Sequence, residues 1–399
     1  MKRKKLEMRS LLLCLIVTTV ALALLVCTGN SARADSKSIL VGITQDVTGI
    51  NADAGRAERD AILMAIEEWN EKGGIRGHKI EYISRDNAGD PSKATTIANE
   101  FVRKGVVGVF GGTLSTVGIP EVKIFTPAQI PMMGGASSTK LWDYKGPDGK
   151  SYYFSFSVSD PVIAESAVSG LAERGYKKIA IVHLNAAWPT DIMKYQVKFI
   201  KEKYASKYGM EIVGVVEADV KATDLSQEVL KVRAMNPDAV ITNLYGTTYI
   251  PWFRACSDLD YHPAMTGYWA LAETAYNSTE PKFLRNFIGY SVFSPEKKEA
   301  SEKLKKFIQR YGYKPVGHWC FAYQEAVTLF TAMEAVGFEG PKIRDHVASK
   351  MTGTPIIVGN KEATCFFQEG TPYFYSIIGP DGFAYVKIDD EGKQVWVKP

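Results

Sequence analysis

GVVGVFGGTLSTVGIPEVKIFTPAQIPMMGGASST, residues 105 to 139, reads as two strand-to-helix units in succession. Val106 to Phe110 is a short apolar run that stops at Gly111-Gly112. The polar Thr113, Ser115 and Thr116 then open a segment whose apolar residues Ile119, Val122, Ile124 and Phe125 approximate one helical face. A second run, Ile130 to Met133, stops the same way at Gly134-Gly135 before Ser137, Ser138 and Thr139. Glycines and hydroxyls thus stand where helices begin. The first amides of a helix have no partner within it and its dipole is positive there, so a small anion such as a carboxylate finds donors in place. Either turn alone is better explained as ordinary capping and turn chemistry, but two such turns side by side make a pocket.

The same alternation extends outward from this stretch. A strand at Ile39 to Thr44, a helix at Gly55 to Lys72 ended by Gly73-Gly74, and a strand at Lys79 to Ser84 precede it, with a helix from Pro91 to about Lys104 capped by Asp90. Tyr152 to Ser157, aromatics alternating with serine, reads as the first crossing between lobes. The alternation then resumes with helices expected at 161–174, 190–207, 223–235 and 249–259 and strands at 178–183, 211–216 and 239–242. A strand at 287–294, a charged helix at 295–311, an apolar helix at 317–336 and short strands at 356–358, 364–367, 373–378 and 384–388, with a hairpin turn at 379–382, close the chain. The fold class expected is α/β, two similar lobes, each a parallel sheet flanked by helices. Lobe 1 would take residues 39–155 plus about 317–360, and lobe 2 would take 156–316 plus about 361–399.

At 399 residues, 46% hydrophobic and 23% charged, the chain is long enough for two domains of ordinary soluble composition. Lys2, Arg3, Lys4, Lys5 and Arg9 precede an uncharged apolar run from Leu11 to Cys27, and Ala32-Arg33-Ala34 has the small-x-small pattern of a cleavage site. Residues 1–34 are expected to be a secretory signal peptide cut after Ala34, with a retained membrane anchor the alternative. Losing them removes six of the 48 basic and one of the 44 acidic residues, leaving a net charge of −1 and no electrostatic case for nucleic-acid binding. Cys256, Cys320 and Cys365 remain, without metal-ligand spacing; Cys320 with Cys365 is the expected pair if a disulfide forms, and three free thiols fit as well. No GxSxG, HExxH, P-loop or dinucleotide fingerprint occurs, so neither an enzyme nor a cofactor is expected.

Polar and aromatic residues recur just past strand ends, where open parallel sheets bind ligands: Asp46 to Gly49 including Thr48, Thr113 to Thr116, Gly134 to Thr139, His183 to Trp188, Asn243 to Thr248 and Thr266 to Ala270. With them, TGINADAG, NEKGGIRGHKIEY, DPSKATTIANEFV, GGTLST and IPMMGGASST resemble the leucine/isoleucine/valine-binding proteins, type I periplasmic solute-binding proteins of ABC importers. The resemblance implies two lobes joined by a three-crossing hinge that closes on a ligand, a membrane permease as partner, and a monomer. It implies that Ser115, Ala136 by its backbone and Ser138 hold a ligand carboxylate, and that Trp188 and Tyr245 cover the ligand from lobe 2; Thr116 and Ser137, hydroxyls of the same two turns, are further candidates for the site. The acidic residue that pairs with a ligand ammonium should fall in Thr266 to Ala270, where this chain has Gly267-Tyr268-Trp269; Glu273 is the nearest substitute. A carboxylate whose other end is apolar or aromatic, stacked on Trp188 and Tyr268 or Trp269, is therefore weighed beside a hydrophobic amino acid.

Overall fold

Ser38–Gln45 is buried along nearly its whole length, as a strand covered on both faces must be, and forms β1. α1 (Ala52–Glu71), β2 (Lys79–Asp86), α2 (Pro91–Lys104), β3 (Gly108–Phe110), α3 (Ser115–Phe125), β4 (Met132–Gly134) and β5 (Tyr153–Ser155) follow. α2 shows why these boundaries fall where they do. The Asp90 carboxylate accepts from the amides of Ser92 and Lys93 at 2.7 and 3.1 Å, Pro91 opens the helix, and Gly105 closes it with φ of 69°. The computed structural model describes residues 37–157, 160–291, 298–351, 357, 384–389, 391 and 393–397. The expected signal segment, the strands expected at 364–367 and 373–378, that at 356–358 apart from Ile357, the turn at 379–382 and Cys365 lie outside these residues.

The first sheet has the order β2-β1-β3-β4-β5, with β3 parallel to both neighbours and β4 parallel to β5. The second is built from β6 (Lys178–Leu184), β7 (Glu211–Ala218), β8 (Ala239–Asn243), β9 (Ala264–Tyr268), β10 (Phe287–Ser291), β11 (Ala384–Ile388) and β12 (Gln394–Val397). Its order is β12-β11-β10-β9-β8-β6-β7, parallel from β7 to β10, with β11 antiparallel to β10 and β12 to β11. Its helices are α4 (Asp160–Glu173), α5 (Ala187–Phe199), which runs through a π-helical turn into α6 (Ala205–Tyr208), α7 (Ser226–Ala234), α8 (Tyr249–Asp258) and α9 (Trp269–Ser278). α10 (Lys298–Tyr311), α11 (Trp319–Val336) and α12 (Gly340–Lys350) return to the first sheet before β11. The chain thus changes sheet three times, after β5, after β10 and after α12. No helix among the described residues is long and apolar enough to cross a membrane.

Several expectations change. Tyr152 to Ser157 contains β5, an edge strand of the first sheet, and the crossing follows it. Residues 298–311, assigned above to lobe 2, pack on α1 of lobe 1, where Lys303 reaches Glu68 at 2.6 Å and Arg310 pairs with Glu67. β9, α9, α12 and β12 add to the elements expected from the sequence. Cys320 is buried in α11 with its thiol on the Gly317 carbonyl at 3.0 Å.

The ends of β3 and β4 are held unusually close. Gly111 donates its amide to the Met133 carbonyl at 3.0 Å, and a Cβ placed on Gly134 would stand 1.9 Å from the Gly111 carbonyl oxygen. Gly134→Ala must therefore push the strand ends apart. It is expected to lower unfolding free energy by about 1–3 kcal/mol in chemical denaturation, and an unchanged midpoint would show that the close approach is not a constraint.

Candidate functional site

Five helices begin at one cavity, and none has a side-chain cap. Their N-cap residues are Asn51 for α1, Leu114 for α3, Ala186 for α5, Tyr268 for α9 and His318 for α11. Asn51, Leu114, Tyr268 and His318 themselves line the cavity, together with Ser115 and Trp188 from the first turns of α3 and α5. Asparagine is among the best capping residues, yet the Asn51 side chain is not used for that purpose. Its position follows from the β1–α1 loop, which winds around Asp46: Gly49 and Asn51 donate their amides to the Asp46 carboxylate at 2.6 and 3.1 Å.

The cavity between the lobes is small, with about 30 Å³ of free space. On the lobe 1 side, Ser115 is buried and its Oγ accepts from the Ser138 amide at 3.3 Å, so the hydroxyl keeps its own proton to donate. Thr113, Gly135 and Ser137 continue this wall. On the lobe 2 side, the rings of Trp188 and Tyr245 stack at 5.8 Å and 24°, and Tyr268 meets the His318 ring edge-on at 6.1 Å. The lobes also touch directly: the Ser138 hydroxyl donates to Asp191 of α5 at 3.0 Å, and Thr247 donates its amide and hydroxyl to the Ile50 carbonyl at 3.2 and 2.8 Å.

Of the residues expected from the sequence, Ser115, Ser137, Trp188, Tyr245 and Tyr268 border this one cavity. Ala136 and Ser138 stand behind it; the Ala136 carbonyl accepts from the Tyr153 hydroxyl at 2.6 Å. Thr116 follows Ser115 on α3 but is not part of the lining. Thr48 lies elsewhere, its hydroxyl donating to Asp86. Trp269 is buried against Phe287 and Tyr276 in the core of lobe 2, on the other face from Tyr268. Glu273 is buried and accepts the Gly317 amide at 2.9 Å, with Lys314 at 3.8 Å, and is likewise outside the cavity.

No Lys, Arg, Asp or Glu lines the cavity among the described residues. His318 is neutral at pH 7, since burial lowers its pKa to about 4. Asn51 Nδ2, Nδ1 of His318 and the hydroxyls of Tyr245 and Tyr268 are buried without a protein hydrogen-bond partner. Buried carboxyls stand behind the wall. Burial pushes Glu58 and Glu121 up to about 8, and burial together with Glu58 raises Glu325 well above the usual carboxylate range. The Thr113 hydroxyl, with one proton, contacts both Gln45 Oε1 and Glu58 Oε2, which is satisfied when Glu58 carries the proton and donates. Asp160 is pushed up to about 7 by burial, with the Ser137 hydroxyl opposing and Asp191 adding to the rise. The cavity therefore presents helix-end amides and neutral hydrogen-bonding groups, a setting suited to one small anion with a largely apolar body.

A family model described as "Periplasmic binding protein" matches residues 38–371. The Leu/Ile/Val-binding protein homolog 1 of Brucella abortus is 24% identical over 331 residues, 81% of this chain and 84% of that protein. Among solved structures, the branched-chain amino acid transporter substrate binding protein LivJ of Streptococcus pneumoniae, in complex with isoleucine, superposes with a TM-score of 0.76 at 20% identity, covering 91% of this chain and 100% of that one. A solute binding protein of an ABC transporter from Rhodopseudomonas palustris BisB5, in complex with 3,4-dihydroxy benzoic acid, gives 0.74 at 16% identity, covering 90% and 96%. The chain belongs to the periplasmic binding protein family, and its sequence is similar to a Leu/Ile/Val-binding protein homolog over most of its length.

The buried carboxyls have a measurable consequence. Glu121 accepts the Thr44 hydroxyl at 2.9 Å, and its pKa rises from 4.5 to about 8 on folding. The folded chain then holds a proton that the unfolded chain releases at lower pH, so this contribution is full below about pH 4.5 and is lost as pH rises through about 8. Unfolding free energy should fall between pH 5 and 8, and Glu121→Gln should flatten that slope; a slope unchanged by the substitution would remove Glu121 as its source.

Proposed function

We propose that the chain is the extracytoplasmic solute-binding subunit of an ABC importer. It would capture a small carboxylate between its lobes, close over it and present it to a membrane permease. Residues 1–34 would direct export and be removed. The observation that carries the reading is the convergence of uncapped helix starts and the Ser115 hydroxyl on a cavity without a charged lining residue. A carboxylate placed at Ser115 meets the first amides of α3 and the positive end of its dipole. The Trp188–Tyr245 stack supplies a flat apolar wall for the rest of the ligand.

An organic acid without an amine fits this lining best. A desolvated ammonium needs a counter-charge, and burying it without one costs several kcal/mol. Relatives of this fold hold either class, isoleucine in the LivJ complex and 3,4-dihydroxy benzoic acid in the R. palustris complex. A second reading, a hydrophobic amino acid, rests on Asp160, buried behind Ser137, whose ionised form could face an ammonium. A sensor that hands its closed form to a receptor would share the same site chemistry.

Thermal shift of refolded, ligand-free protein separates these readings, because a ligand that binds the native state raises the midpoint. Benzoate and 4-methylpentanoate should stabilise it more than leucine or isoleucine; the reverse order would assign the site to amino acids and give Asp160 the counter-charge. Ser115→Ala should weaken carboxylate binding by about 1–3 kcal/mol in calorimetry, the cost of leaving a buried charged acceptor one donor short. Unchanged affinity would take Ser115 out of the site.

A further inference from the structure

The unpartnered polar atoms of the cavity fall into two groups. The charged neighbours of Tyr245 are Asp160 and Asp191, which stand with Ser137 and Ser138 beside Ser115. Tyr268 instead has Cys320 and Glu58 as its neighbours and the His318 ring edge-on at 6.1 Å. Glu58 reaches the cavity wall from behind: its Oε2 meets the Thr113 hydroxyl, and its Oε1 lies 3.6 Å from where a Cβ on Gly135 would be. Thr113, Gly135, Tyr268 and His318 all line the cavity. Glu58, Tyr268 and His318 are 2%, 3% and 8% exposed, yet Glu58 Oε1, the Tyr268 hydroxyl and His318 Nδ1 have no protein hydrogen-bond partner.

Buried polar groups are nearly always satisfied, and a cluster of exceptions on one wall needs a reason. Resting on the reading that Ser115 and the start of α3 take a carboxylate, we propose that this second cluster is a subsite for a hydroxyl group at the far end of the same ligand. The ligand is then a small hydroxylated carboxylic acid, a phenolic acid or one of similar length. A hydroxyl both donates and accepts, so it can satisfy Glu58 Oε1 as donor while accepting from Tyr268 or His318. The three protein groups are neutral at pH 7, with Glu58 raised to about 8 and His318 lowered to about 4 by burial. A second carboxylate would find no cation here and an ammonium no fixed anion, which leaves a neutral hydrogen-bonding group as the match.

Calorimetry with two matched pairs, benzoate with 4-hydroxybenzoate and phenylacetate with 4-hydroxyphenylacetate, tests this directly. A site built to hydrogen-bond a hydroxyl rejects the analogue lacking it, so in at least one pair the hydroxylated acid should bind about tenfold tighter or better. Tyr268→Phe, which removes a single oxygen, and His318→Phe should each bring that ratio towards one, and His318→Gln should restore part of it. Melting curves of the unliganded variants check that they are folded. Equal binding within both pairs, or a ratio that survives both Phe substitutions, overturns the hydroxyl subsite while leaving the carboxylate reading intact. No binding of any of the four acids alongside clear binding of leucine or isoleucine overturns both.

Discussion

Helix N-termini that do not cap themselves are the constraint on which this site depends. Each leaves amides pointing out of the helix, and a buried amide without an acceptor is costly. Asp90 meets this locally for α2, whereas α7, α8 and α12, whose starts are not in the cavity lining, have no side-chain cap either. What is particular to the cavity is convergence: α1, α3, α5, α9 and α11 all start there without a side-chain cap, from residues as unlike one another as Asn51, Leu114, Ala186, Tyr268 and His318. Their positive ends add, and an anion is the natural common partner. The close passage of Gly134 over the Gly111 carbonyl sets the turn before α3 beside the turn after β4, which leads into a single 3-10 turn at Thr139–Trp142 and not the helix expected from the sequence, and puts the Ser138 amide onto Ser115.

How much of this is legible in the sequence depends on how local each signal is. Gly111-Gly112 and Gly134-Gly135 with their following hydroxyls are complete within a few residues, so the two turns and Ser115 stand out from the amino-acid order alone. Trp188 and Tyr245 follow recognisable strands. β9 and α9 escape such a reading because β9 spans only Ala264–Tyr268, carries Gly267 inside it, and joins Trp269–Ser278 with no intervening residue. For the same reason Tyr268 and Trp269 look equivalent as cavity residues, although neighbours at a strand end point to opposite faces; Tyr268 takes the cavity and Trp269 the core.

Other features depend on partners distant in the chain. The charged pattern of Lys298–Tyr311 shows which face of α10 is apolar but not which lobe receives it; in the folded chain Phe307 packs on Trp319, and Lys303 and Arg310 reach Glu68 and Glu67, more than 200 residues earlier. His318 begins a helix whose residues are almost all buried, and nothing local separates it from an ordinary core histidine. Glu58 reads as a polar position on an amphipathic helix, and only the folded chain puts it behind Thr113 with Glu325 as a neighbour. Glu273, the nearest substitute for a counter-charge in the sequence, is spent on the Gly317 amide at the return into α11.

The hydrogen bonds that join the lobes at the mouth of the cleft are of an ordinary kind: Ser138 to Asp191, and Thr247 to the Ile50 carbonyl. Such bonds contribute about 0.5–1.5 kcal/mol each once their exchange with water is counted. Closing without a ligand would also bury the unpartnered groups of Asn51, Tyr245, Tyr268 and His318, at about 1–3 kcal/mol each. The three bonds amount to about 1.5–4.5 kcal/mol against about 4–12 kcal/mol for the four groups, so the cost exceeds the gain and the mouth contacts alone do not hold the closed form. A ligand that satisfies the cavity's polar groups removes the opposing cost and tips the balance, which is the differential affinity for one state that any ligand-driven closure requires. Under the proposed function, the polar lining that would select the solute is then also what would couple its capture to the shape of the protein.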